Sequence, residues 1–384
     1  MDPDWKNLPK HLLDSVVERL VLPSDYLRFS LVCKSWYGIA KDNEAQLSKM
    51  TIPMLLIATD IEDTWNLYDV MENKVFDVEI SMPNKRYCGC SKGWLITVEK
   101  NFAVTLINPF FRIKGSKRKQ DSIIPLPPLP PPSKWWALSE KYDHYVFRST
   151  ISADPILDTN NCVVVVIYEE ANQMAFIRLG KDPTWTLITE MKWRLIEEVI
   201  HFGDRFYAVD HWSKFLRFKI TAPSSPDIEV LRQHIGIEHG KKYLMISNEK
   251  QVLMVRRYFE YEDEDALHGQ RVTTGFKIFE FNFDECEWIE KNSLGDVALF
   301  LGDNCSISVP ISISSEFQSN CIYFNHDIDH DVPVFEHTGC HHSSDFGVYN
   351  VNTRSISQPY STHATTLVKN TKCPPIWVVP TFQL

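Results

Sequence analysis

Gly89-Cys90-Ser91-Lys92-Gly93 has the Gly-x-Ser-x-Gly spacing that seats a nucleophilic serine on a sharp turn between a strand and a helix. Such a turn exposes the hydroxyl, and donors held nearby stabilise an oxyanion. Here the next stretches are Trp-Leu-Ile-Thr-Val-Glu and Ala-Val-Thr-Leu-Ile-Asn, two strand-type runs separated by Lys100-Asn101-Phe102. No helix follows, so Ser91 is expected in a tight hairpin turn and not as a nucleophile.

Residues 326–342, HDIDHDVPVFEHTGCHH, gather five histidines, four carboxylates and Cys340. His326 and His330 have the spacing of one helical turn, and His337-x-x-Cys340 could chelate zinc. Intervening aspartates and Val332-Pro333 oppose a helix, and no Cys-x-x-Cys pair anchors the set. A polar loop between strands is the expectation, with no metal, no cofactor and no catalytic residue assigned.

Three further stretches have charge or proline patterns that partners sometimes read. IIPLPPLPPPS (123–133) has PxxP spacings suited to polyproline II. It is expected to be a stiff link between structural units. KGSKRK (114–119) and EYEDED (260–265) are expected as solvated loops, the first with a weak likeness to a nuclear-import signal.

The elements that must position these residues fall into two regions. In NLPKHLLDSVVERL (7–20), Leu8, Leu12, Leu13, Val16, Val17 and Leu20 recur every one to four residues, while Lys10, Asp14, Glu18 and Arg19 fall mostly opposite. This predicts an amphipathic helix with Asn7 as N-cap and Pro9 in the first turn. Pro23-Ser24-Asp25 ends it and starts a second helix, to about Val32. A third short helix carries Trp36 and Ile39. Forty residues hide little apolar surface, so this all-α module is expected to lean on a partner.

From about residue 52 the pattern becomes strand-like and stays so. Short runs such as PMLLIAT, GWLITVE, CVVVVIY, RFYAVD, VLMVRRY and FGVYNV are separated by turn residues, with no long amphipathic helix between them. About 330 residues of this kind exceed an ordinary sandwich or barrel. A loose repeat of roughly 40–55 residues points to a β-propeller of six or seven blades. The terminal PPIWVVPTF is expected to pair with PMLLIAT and close the ring. The fold class is therefore mainly β, a propeller over 52–384 preceded by a helical module over 5–43.

Composition narrows the function classes. The chain has 384 residues and a formal net charge of −10, and its first 40 residues carry five acidic and five basic side chains. The acidic remainder opposes general nucleic-acid binding. There is no basic segment leading into an apolar run, and no apolar stretch near the roughly 18 residues that cross a bilayer. The nine cysteines are scattered through strand-like runs, as reduced thiols of a cytoplasmic or nuclear protein would be.

Leu8-Pro9, Leu12-Leu13, Asp25, Leu27-Arg28, Val32-Cys33-Lys34 and Trp36 follow one another in the order and at the spacing of an F-box, which residues 5–43 resemble. The resemblance implies docking on a Skp adaptor, and through it on a cullin and a RING protein. Leu8, Pro9, Leu12, Leu13, Val16, Leu20, Leu27, Val32, Cys33 and Trp36 would carry that contact. The remainder resembles the KIB-type β-propeller of plant F-box proteins, on CGCSKGWLITVE, INPF, IPLPPL, WTLI, FGDRFYAVD, SLGDVALFLGDNCSISV and NCIYFNHD. Cys90 departs from the serine usual in that family.

Together the two resemblances imply the non-catalytic substrate-receptor subunit of an SCF-type ubiquitin ligase, whose propeller holds an unidentified target protein. Two other readings stand beside it. One is a propeller hydrolase or sugar-processing enzyme, which needs carboxylates converging on the central channel. The other is an F-box protein that sequesters a partner without degradation.

Overall fold

Proline sets the first helix boundary. In the computed structural model, α1 (Lys10–Val17) starts one residue after Pro9, which occupies the N-cap with an extended ψ of 142°. Pro9 is thus outside the first turn. Its carbonyl accepts the N–H groups of Leu12 and Leu13, which begins the helical ladder. α2 (Lys34–Asp42) carries Trp36 and Ile39 as expected, with Cys33 as its extended N-cap. The structure describes residues 5, 8–20, 26, 29–30, 32–43, 53–58, 65–70, 74–78, 85–99, 101–112, 122–130, 146–168, 173–189, 194–224, 226–232, 240–247, 250–261, 271–302, 305–311, 317–327, 345–358, 365–366, 368 and 375–379. Asn7, Leu27, the basic stretch 114–119, Trp135-Trp136 and most of the His-rich stretch lie outside them.

The strands form six sheets, which settles the blade number at six. Blade I contains β1 (Met54–Ala58), β2 (Trp65–Asp69) and β3 (Lys74–Val78). Blade II is β4 (Lys85–Ser91), β5 (Trp94–Glu99), β6 (Ala103–Ile107) and β7 (Ile123–Pro128). Blade III is β8 (Val146–Ile151), β9 (Val163–Tyr168), β10 (Gln173–Arg178) and β11 (Thr186–Leu187). Blade IV is β12 (Ile196–Phe202), β13 (Arg205–Asp210), β14 (Phe215–Phe218) and β15 (Ile228–Arg232). Blade V is β16 (Lys241–Ile246), β17 (Val252–Tyr261), β18 (Arg271–Asn282) and β19 (Glu287–Lys291).

Blade VI has five strands: β20 (Val297–Gly302), β21 (Cys305–Pro310), β22 (Cys321–Phe324), β23 (Gly347–Asn350) and β24 (Ser355–Ser357). Its chain enters at the second position, folds inward as β21, then returns so that β22 pairs parallel with β20. The last strand, β25 (Ile376–Val378), completes blade I. Met54, Leu55 and Leu56 face Val378, Trp377 and Ile376 across an antiparallel ladder, so the terminal segment closes the ring as its sequence predicts. The six edge strands β4, β8, β12, β16, β21 and β25 touch one another in a ring and form the innermost layer.

The second strand of blade III is covered on both faces by neighbouring blades. β9, Val-Val-Val-Val-Ile-Tyr, is buried at every position, which explains a continuous apolar run where a one-sided sheet would alternate. The proline-rich stretch corrects the expectation of a stiff link. Ile123–Pro128 is β7, the outer strand of blade II, paired to β6 at Ile123, Ile124, Pro125 and Pro128. An outer strand needs hydrogen bonds on one side only, so prolines that lack an N–H are tolerated there. Trp185 of the next blade donates its indole N–H to the Pro127 carbonyl at 2.7 Å.

Aromatic packing secures the closure. Trp377 is fully buried, its ring 4.9 Å from that of Phe300 on β20, which also stacks on Tyr323 at 4.9 Å. Because β25 has only three residues, side-chain packing must hold what few ladder bonds cannot. Trp377→Ala should therefore cost about 3–5 kcal/mol, the range for deleting a large core aromatic. Urea unfolding measures it, and an unchanged midpoint would show that the ring closes without β25.

Candidate functional site

The helical module has a core of its own. Leu13 and Val17 of α1 pack with Tyr26, Phe29, Ile39 and Ala40, flanked by half-buried Leu8, Leu20 and Trp36. Tyr26 donates its hydroxyl to the Ala40 carbonyl at 2.6 Å, and Trp36 stacks against Phe29 with ring centroids 4.6 Å apart. The Trp36 indole also donates to the Trp5 carbonyl at 2.9 Å. Polar links tie the helices outside the core. Lys10 lies 3.1 Å from the Asp42 carboxylate, and the Asn43 amide donates to Asp14 at 3.0 Å.

This core divides the residues proposed for adaptor contact. Leu13 is 1% exposed and serves the module's interior, so it is removed from the outer face. Leu8, Leu20, Cys33 and Trp36 are half-buried, and Pro9 is exposed at the helix start. Leu12 and Val16, one turn apart on α1, stay 44% and 40% exposed, and Val32 stays 52% exposed. With Trp5 and Tyr37 they leave apolar surface uncovered on a module of this size. The module therefore buries one face in a small core of its own and leaves another apolar face uncovered.

In the propeller, successive charged residues on inner strands point to different neighbours. Adjacent strand residues project from opposite faces, and each face meets another blade. Glu197 and Glu198 of β12 show this. Glu198 turns to blade III, where Arg148 lies 3.3 Å away and both side chains are buried. Glu197 turns to blade V, 2.9 Å from Lys242, and also meets His211 Nδ1 at 2.8 Å. Burial pushes the Glu198 carboxyl above its ordinary range, with Arg148 acting against that rise.

Lys241 and Arg257, paired across β16 and β17, turn to blade VI. Lys241 reaches Asp327 at 3.0 Å. The fully buried Arg257 guanidinium lies 3.3 Å from Asp327 and 2.8 Å from Asp345, donates to Thr273 Oγ1 at 2.8 Å, and donates to the Asn325 carbonyl at 2.9 Å. It also lies over Phe324, 4.7 Å from the ring centroid. Tyr243 donates its hydroxyl to Asp327. Burial, then the Asp327 charge, raises the Tyr243 phenol above its usual range. One guanidinium thus holds Asp327 and Asp345 together. Of these charges only Asp327 lay in a stretch that the sequence motifs singled out; for the others the signal was a charged doublet inside an apolar run, as in Val-Leu-Met-Val-Arg-Arg.

The chemistry-bearing motifs resolve as strand and turn. Ser91 ends β4 and pairs with Trp94, while Lys92 and Gly93 between them have φ of 50° and 75°. That is the two-residue turn whose twist suits a hairpin. Ser91 Oγ lies 3.3 Å from Thr150 Oγ1 and accepts the Ile151 N–H at 3.3 Å. Only two carboxylates, Glu197 and Glu198, occur on the six inner strands, and they project to opposite faces. They do not converge across the channel as paired acid and base. Among the described residues there is no cluster of three or more metal-ligating side chains, and no helix is long and apolar enough to cross a membrane.

A helical module with an uncovered apolar face, joined to a six-bladed propeller, defines the receptor class of F-box proteins. An F-box-like model matches residues 5–46, and a KIB1-4 beta-propeller model matches residues 67–350. The chain belongs to the KIB1-4 beta-propeller family. Its relatives in Arabidopsis thaliana include putative F-box protein At5g55150, 26% identical over 98% of this chain and 97% of that one. F-box protein SKIP23 is 24% identical, covering 92% of this chain and 90% of its own length. Such a protein acts generally as a receptor bound to a Skp adaptor.

Two outcomes test the electrostatic reading. Arg257→Met leaves two buried carboxylates short of a cation and should cost about 3–5 kcal/mol in urea unfolding; a loss below about 1 kcal/mol would contradict the clamp. His201, on β12 beside Phe206, is pushed down to about 4 by burial, with Lys92 adding to the shift. An unfolded histidine titrates near 6.5, so the unfolded chain takes up a proton that the native state refuses. That stability is complete above pH 6.5 and is lost as pH falls toward 4. The unfolding temperature of His201→Gln should fall less steeply across this window than that of the parent.

Proposed function

We propose that this protein is the substrate receptor of an SCF-type ubiquitin ligase and presents one target protein on its propeller for ubiquitination. The observation that carries the reading is the division of the helical module. Leu13 and Val17 fill its interior while Leu12, Val16 and Val32 remain uncovered. A stand-alone capping hairpin would gain nothing from that exposed apolar surface. The adaptor's helices would cover it, and the cullin and RING protein would follow through the adaptor. The absence of converging carboxylates on the inner strands gives the hydrolase reading no support.

The chemistry assigned to this chain is positional. Holding a target beside the ubiquitin-loaded enzyme raises the effective concentration of its lysine without any acid, base or nucleophile from the receptor. The propeller suits that task because its six sheets interlock through buried ion pairs and aromatic packing. A working place in the cytoplasm or nucleus, where the ligase partners reside, belongs to the same proposal.

Variants of adjacent residues separate docking from folding. Leu12→Asp with Val16→Asp should abolish co-purification of a Skp adaptor with the full chain and leave the propeller's melting transition unchanged. Leu13→Asp should also lose the adaptor, but by unfolding the module, seen as lost helical signal in far-UV circular dichroism. Adaptor capture undiminished by the Leu12/Val16 double change would overturn the assigned face.

A further inference from the structure

Cys90 and Cys305 come from blades that are not sequence neighbours, yet they meet at the channel. Cys90 lies on β4, the inner strand of blade II, and Cys305 starts β21, the inner strand of blade VI. The two strands touch past the three-residue β25, which is all that blade I contributes to the inner ring. Cys305 is buried in the core cluster shared by blades I and VI, and half-buried Cys90 packs against that cluster. Both are reduced.

We propose that Cys90 and Cys305 form a reversible disulfide when the protein meets a hydroperoxide, a staple that locks blade II to blade VI across the closure of the ring. The strands that carry the two cysteines are already in contact and both side chains pack in one cluster, so bond formation needs side-chain movement and no new meeting of blades. Roles differ by exposure. Half-buried Cys90 is the more accessible of the two thiols to a small oxidant, while Cys305 is buried. Its thiolate attacks one peroxide oxygen, breaks the O–O bond and becomes a sulfenic acid, while the other oxygen leaves as alcohol or water. The Cys305 sulfur then attacks the Cys90 sulfur. The S–O bond breaks, water leaves with the Cys305 proton, and the S–S bond forms. Two electrons pass from the thiols to the peroxide, and a dithiol reductant reverses the change.

The surroundings set this pair apart from Cys162 and Cys321. Interaction with Cys90, followed by burial, holds the Cys305 thiol well above its ordinary range, so it waits as a protonated resolving partner. Cys162 is pushed up to about 12 by burial and donates to the Ala153 carbonyl at 3.3 Å, which keeps it inert. Cys321 is bonded to Gln318 and Asn350, and burial raises its thiol too. The consequence lies in the weakest part of the ring. A covalent link between β4 and β21 restrains the gap that β25 must fill, so ring opening requires breaking a bond as well as unpacking Trp377.

The test is peptide mapping of the purified full chain after brief hydrogen peroxide, with free thiols blocked before digestion. The expected result is one new cross-linked peptide joining residues 90 and 305, lost on dithiothreitol and missing from C90S. The oxidised parent should unfold at a higher temperature than the reduced parent, and C90S should show no such difference. A Cys90 that remains alkylatable after peroxide, that proceeds to sulfinic acid, or that links to another cysteine would overturn the proposal. The mapping is read on the parent itself, so it stands whether or not C90S folds well.

Discussion

Every inner strand of this ring is pressed between two other blades, and that double burial governs what its residues can do. Most residues in such a strand are withdrawn from solvent, so a charge placed there finds an opposite charge on a neighbouring blade. Glu197 and Glu198 do so in opposite directions, toward Lys242 and Arg148. Lys241 and Lys242 do the same from β16, and Arg256 reaches Ser213 while Arg257 reaches Asp327 and Asp345. Each doublet joins three consecutive blades. Buried pairs of this sort contribute little net stability compared with apolar packing, because desolvation offsets the attraction. What they fix is which blade meets which, and at what height.

Ring closure rests on different physics. Three backbone pairs at β25 are a weak ladder, and the load is carried by Trp377, edge-to-face with Phe300, and by Phe300 stacked on Tyr323. Blade VI adapts to the same junction. Its inner strand is supplied by a hairpin that folds back toward the channel, which leaves a parallel pair between β20 and β22. The inner ends of the closing blades are therefore the least regular part of the propeller.

Much of this architecture was legible in the sequence. Short strand-type runs, the match of PPIWVVPTF to PMLLIAT and the helix containing Trp36 all correspond to observed elements. The limits have physical causes. IIPLPP reads as a linker by composition, but an outer strand tolerates prolines because half of its backbone needs no ladder partner. Leu12 and Leu13 are chemically identical, and only the packing of α1 on Ile39 and Ala40 decides which one turns inward. The buried charges left no motif because their partners lie up to 88 residues away, as for Arg257 and Asp345. Cys90 and Cys305 likewise become neighbours only when the ring closes.

The central claim is that one face of the helical module, separate from its own core, meets the adaptor while the propeller stays free. Hydrogen–deuterium exchange on the full chain, with and without a saturating Skp adaptor, tests it most directly. The account predicts slowed exchange over residues 10–17 and 32–42, with the strands of blades II–V unchanged. Protection that fell on the propeller strands, or an N-terminal module indifferent to the adaptor, would contradict it.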